Sequence, residues 1–106
     1  MNPYPLKLKP IYKELIWGGD KLQKFFSKDI PAGKKIGESW ELADLPNDKS
    51  IIANGELAGK TITQILQESS PQITGQKKYK PPFGLLIKFI DACDVLSVQV
   101  HPDKEA

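Results

Sequence analysis

The chain reads as a mainly β protein with two short helices, and three observations say so. Leu96 to His101 alternates apolar and polar residues strictly, which is the two-residue period of a half-buried strand. Leu85-Leu86-Ile87-Lys88-Phe89-Ile90-Asp91 is an apolar run broken by one lysine, as expected of a strand buried on both faces. Two short stretches instead carry helical spacing: Leu22, Phe25 and Phe26 in one, and Ile62, Ile65 and Leu66 in the other.

Size and composition bound the possibilities. At 106 residues the chain is one domain with room for a single modest core. It is 40% hydrophobic and 26% charged, the balance of a soluble globular protein. Fifteen basic and thirteen acidic residues leave a net charge of +2, too small to argue for a nucleic-acid surface. All fifteen basic residues are lysines, so the forked guanidinium that usually grips phosphate is missing. Cys93 is the only cysteine, which excludes an internal disulfide and favours a cytoplasmic location. No apolar run approaches the ~20 residues that span a bilayer, and the N-terminal stretch lacks a signal peptide's apolar centre.

Taken in order, Met1 to Pro10 alternates loosely, and prolines at 3, 5 and 10 suit an edge strand. Ile11 to Trp17 is extended and Gly18-Gly19 breaks it. Asp20 is positioned to cap a helix over Lys21 to Phe26, with Leu22, Phe25 and Phe26 facing the core. Ser27 to Lys35 is a loop. In Ile36 to Ala43, Ser39, Glu41 and Ala43 share one strand face, and Glu38, Trp40 and Leu42 the other. Glu38 thus sits among large apolar residues, either at a wet strand end or partly buried with a partner. Ser50 to Ala53 is a short strand before the Asn54-Gly55 turn. Thr61 and Gln64 have capping-box spacing at the start of the second helix, and Ser69 to Lys80 returns to loop or a short helical turn.

The lysine inside the Phe83 to Ile90 run has two explanations: its stem packs while the ammonium reaches water, or Lys88 lines a polar cavity. Asp91 to Val95 is short enough to be a hairpin loop. If Asp91 lies opposite Leu96, Lys88 falls opposite Gln99 and shares its face with His101. Gln99 and His101 stand about 7 Å apart on that face. An amide oxygen and an imidazole nitrogen so placed can supply two ligands to one metal ion; a Gln-x-His pair can equally be solvated polar surface.

Four motifs in this order carry a resemblance: Trp17-Gly18-Gly19, Ile36-Gly37-Glu38-Ser39-Trp40-Glu41, Leu86-Ile87-Lys88-Phe89-Ile90-Asp91 and Ser97-Val98-Gln99-Val100-His101-Pro102. Together they resemble the N-terminal part of class I, cupin-type mannose-6-phosphate isomerases, from about Leu6 to Ala106. Lys104 departs from the Asp common at that place in the bacterial branch. The resemblance implies part of a cupin jelly roll, a double-sheet β barrel, with residues 1–106 an N-terminal fragment of one catalytic domain and no second domain. It implies a zinc-dependent isomerase interconverting mannose 6-phosphate and fructose 6-phosphate. Gln99 and His101 match metal ligands, and Lys88 matches an active-site lysine. The remaining Glu and His ligands are expected beyond Ala106, so the isolated chain is expected to be inactive. Its partner is a phosphorylated hexose, not nucleic acid or membrane, and its open strand edges favour self-association. The alternatives are a non-catalytic cupin-like module that binds metal or sugar, and a metal-free interaction domain.

Overall fold

The computed structural model describes residues 4–75 and 82–98. Three strands and two helices follow in the order β1 (Ile11–Gly19), α1 (Lys21–Phe26), β2 (Ile36–Leu42), α2 (Ile62–Thr74) and β3 (Ile87–Ile90). The strands form one antiparallel sheet in the order β1-β2-β3. This is the mainly β architecture the sequence predicts, and β2 presents the two faces expected of it. Tyr12 pairs with Ser39 and Ser39 with Phe89 on one face; Lys13 pairs with Glu38 and Trp40 with Lys88 on the other.

Helix α1 attends to the first of these faces. Phe26 stacks on Phe89 with ring centroids 5.1 Å apart, and the Lys28 ammonium donates to Glu41 at 2.6 Å. Leu22, Ile30 and Ile36 make the small core there, with Tyr12 packed against it. The other buried apolar residues gather around the middle of the chain: Ala43, Ile52, Ile62, Ile65 and Leu66. Helix α2 starts with the predicted capping box, in which the Thr61 side chain accepts from the Gln64 backbone amide and the Gln64 side-chain oxygen accepts from the Thr61 backbone amide.

Several expectations are corrected. The N-terminal edge strand reduces, among the described residues, to one bridge between Leu8 and Ile52, because Pro5 and Pro10 withdraw ladder donors on either side. Strand β1 does not end before the glycines but runs through Gly19, with its register jumping between Glu14 and Gly19. Asp20 occupies the N-cap position of α1 without making a cap bond; its carboxylate turns to Lys24 at 2.9 Å. Of the predicted core stripe on α1 only Leu22 is buried, since six residues give too little helix to bury both ends. Helix α2 breaks at Ser69, which leaves helical geometry, and of the loop or short helical turn expected there the described residues form a short helical piece with Pro71 in its first turn, where a missing N–H costs least.

The largest correction concerns β3. It spans four residues rather than Leu85 to Asp91, and every one of them is exposed. It is an edge strand in the described sheet, paired only with β2. The hairpin expected after it does not form over the described residues, where Leu96 to Val98 belongs to no strand. Instead, the Asp91 amide donates to Gly37 O at 2.8 Å and the Cys93 amide to Trp17 O at 2.7 Å. These bonds tie the chain just after β3 to β2 and β1. Lys88 pairs with Trp40 on β2, and the expected pairing of Lys88 with Gln99 falls on a residue outside the described ones. His101 lies outside them as well.

Candidate active site

Backbone packing brings three of the four sequence motifs to one point. A Cβ on Gly18 would lie 2.4 Å from the Gly37 amide nitrogen, so the two chains can approach this closely only with glycine there. A Cβ on Gly37 would lie 2.6 Å from the Trp17 ring, so the indole rests on bare backbone. A Cβ on Gly19 would meet the Asp91 carboxylate at 2.6 Å. Asp91, buried at 5% exposure, sends that carboxylate to the Lys21 amide at 2.8 Å. The tryptophan-glycine, glycine-glutamate and lysine-to-aspartate motifs are thus parts of one joint.

Next to this joint is a cavity of ≈160 Å³ lined by Trp17, Glu38, Lys88, Ile90, Leu96 and Ser97. The Lys88 ammonium donates to Glu38 Oε1 at 2.9 Å, and the Trp40 indole N–H donates to the same oxygen at 2.8 Å. The Lys88 side chain is 33% exposed and that of Glu38 16%. Burial pushes the Glu38 carboxyl up. The bonds from Trp40 and Lys88 and the charges of Lys88 and Lys13 outweigh it, holding the group below its ordinary value. Glu38 is therefore an anion at neutral pH and a weak base.

Lys88 meets both descriptions offered for it: it lines the cavity and remains exposed to solvent. Glu38 is not a wet strand end but a half-buried carboxylate with a partner. In the sequence each residue stands out alone, and their pairing does not. The alternation that puts Glu38 and Trp40 on one face was visible, yet nothing local says that a lysine fifty positions on pairs with this strand. Trp17 stands out in the sequence only as part of a motif; the fold makes it a wall of the cavity. Among the described residues no three His, Cys, Asp or Glu side chains gather as a metal-holding group.

A cation and a carboxylate in a half-enclosed, partly aromatic cavity can bind hydroxyl and anionic oxygens, and the cation can stabilise developing negative charge. The family model for the catalytic domain of type I phosphomannose isomerase matches residues 6–106. The chain belongs to this family. It is 44% identical over 102 residues to the Bacillus subtilis (strain 168) protein named probable mannose-6-phosphate isomerase GmuF, covering 96% of this chain and 31% of that one. It is 40% identical over 99 residues to mannose-6-phosphate isomerase of Streptococcus mutans, covering 93% of this chain and 30% of that one. The crystal structure of the mannose 6-phosphate isomerase from Bacillus subtilis superposes with a TM-score of 0.71 at 35% identity, over 83% of this chain and 27% of the other. The described sheet and helices are accordingly part of a phosphomannose isomerase cupin fold. The chain spans about a third of the length of the curated relatives it matches.

Proposed function

We propose that this chain supplies the N-terminal part of the catalytic domain of a cytoplasmic, zinc-dependent isomerase that interconverts mannose 6-phosphate and fructose 6-phosphate. The observation that carries this is the convergence of Trp17, Glu38 and Lys88, each from a separate family motif, on one cavity. In this proposal Lys88 is the catalytic residue the chain contributes. Its ammonium binds a sugar oxygen and stabilises the negative charge that develops when a proton moves between C1 and C2. Glu38 accepts from the Lys88 ammonium and the Trp40 indole N–H.

Gln99 and His101 are proposed as zinc ligands. Their amide oxygen and imidazole nitrogen are suitable donors, but two fall short of the three or four that protein zinc sites use. Zinc, when bound, polarises the carbonyl and hydroxyl oxygens of the opened sugar. With only these two proposed ligands, the 106-residue chain alone is expected to be inactive.

The test has two arms. The purified chain is assayed for isomerase turnover and zinc content; robust turnover with stoichiometric zinc overturns the expected inactivity. The segment is then grafted in place of its counterpart in the solved Bacillus subtilis enzyme. There, Lys88→Met is expected to lower kcat by about 10²–10³, the worth of one donor to developing charge. His101→Ala is expected to lose zinc. A graft indifferent to both substitutions sinks the assignment.

A further inference from the structure

A lysine on an exposed edge strand ordinarily moves its ammonium through a wide volume, because four rotatable bonds separate it from the backbone. Lys88 is held instead. Its ammonium meets Glu38 Oε1 at 2.9 Å and lies 6.0 Å from the centroid of the Trp40 ring. The same carboxylate oxygen is pinned by the Trp40 indole N–H at 2.8 Å. A second lysine shares this sheet face, since Lys13 stands opposite Glu38 in the register. Its ammonium lies 4.4 Å from the Trp40 ring centroid, but Asp48 holds it at 2.8 Å and it does not line the cavity. Two cations therefore flank one indole, and two carboxylates sort them: Asp48 draws Lys13 aside, and Glu38 keeps Lys88 at the cavity.

We propose that Glu38 is the positioning residue for Lys88, holding a single ammonium at the cavity wall where an anionic sugar would meet it. The pairing stands on geometry alone; its use on a phosphorylated sugar rests on the function proposed above. Glu38 does not touch reacting atoms in this scheme and acts through Lys88. Trp40 supports it by fixing the carboxylate through its indole N–H.

The experiment reads each ammonium separately in the 106-residue chain, by NMR with 13Cε-labelled lysine and assignment by Lys88→Arg and Lys13→Arg. A tethered lysine shows two distinct Hε resonances, whereas a free one averages them to one. In the unsubstituted chain both Lys88 and Lys13 are expected to be split. In Glu38→Gln the Lys88 splitting collapses while the Lys13 splitting stays, and the surviving Lys13 pattern reports that the sheet is intact. In Asp48→Asn the reverse holds. An averaged Lys88 signal in the unsubstituted chain, or a splitting that survives Glu38→Gln, overturns the proposal. Mannose 6-phosphate is then titrated into the unsubstituted chain and is expected to move the Lys88 resonances. If they stay still although Glu38→Gln collapses the splitting, the positioning role stands and the sugar reading of the cavity fails.

Discussion

Gly18 shows how much of this protein turns on a missing methyl group. Its neighbours at the Cβ position are the backbone atoms of Ile36 and Gly37, which cannot rotate away as a flexible side chain can. Gly18→Ala is expected to lower stability by about 1–3 kcal/mol through forced separation of the two chains. Gly84→Ala, where a Cβ meets nothing within 4 Å, should stay within about 0.5 kcal/mol. Urea denaturation of the two variants checks the contrast, and equal losses would refute it. Asp44 makes a pH-dependent case. Burial pushes its carboxyl up, but donors from Thr63 and the Phe83 amide and the charge of Lys49 hold it below its ordinary value. A group depressed on folding contributes stability above its unfolded value, about pH 4 for a carboxylate. That contribution is lost as the pH falls through the folded value. Glu38 is depressed in the same direction and adds to the effect. The urea midpoint should therefore drop below about pH 4, and Asp44→Asn should flatten the drop.

At the scale of elements, α1 illustrates a cap delivered from a distance. Six residues are far too few to be stable as an isolated helix. The residue the sequence nominates, Asp20, spends its carboxylate on an exposed pair with Lys24, while Asp91 bonds the Lys21 amide across seventy positions. Asp91→Ala is expected to cost about 1–2 kcal/mol, the worth of a cap. Asp20→Ala should cost less than about 1 kcal/mol, as an exposed pair does. Thermal melts of both variants decide this, and a larger loss for Asp20→Ala would reverse the assignment. The capping box of α2, by contrast, is made of residues three apart, so local spacing was enough to find it. The sequence leaves loop and short helical turn open after Ser69, because Pro71 ordinarily signals a stop; the kink at Ser69 lets helix resume beyond it.

For the whole molecule, the decisive feature is the uncovered side of β3. Ile87, Phe89 and Ile90 are 51%, 44% and 54% exposed, and Leu85 beside them is 61% exposed. An apolar edge strand of this kind is a template for further pairing. Concentration-dependent self-association is the expected outcome in sedimentation velocity, and a strictly monomeric chain at high concentration would count against it. The sequence pattern read this run as doubly buried because continuous apolar residues ordinarily are. The relatives are about three times as long as this chain, and burial of such a run depends on what else packs against it.

Local chemistry alone determined much of this chain: the alternation of β2, the helix starts at Lys21 and Thr61, the turn at Asn54-Gly55 and the family motifs. Each depends on residues a few positions apart. Tertiary structure decided which strand Lys88 faces, which carboxylate it meets, and that Asp91 rather than Asp20 caps α1. Those outcomes join residues fifty and seventy positions apart. Their partners are chosen by sheet register and close glycine contacts, which no short window of sequence contains.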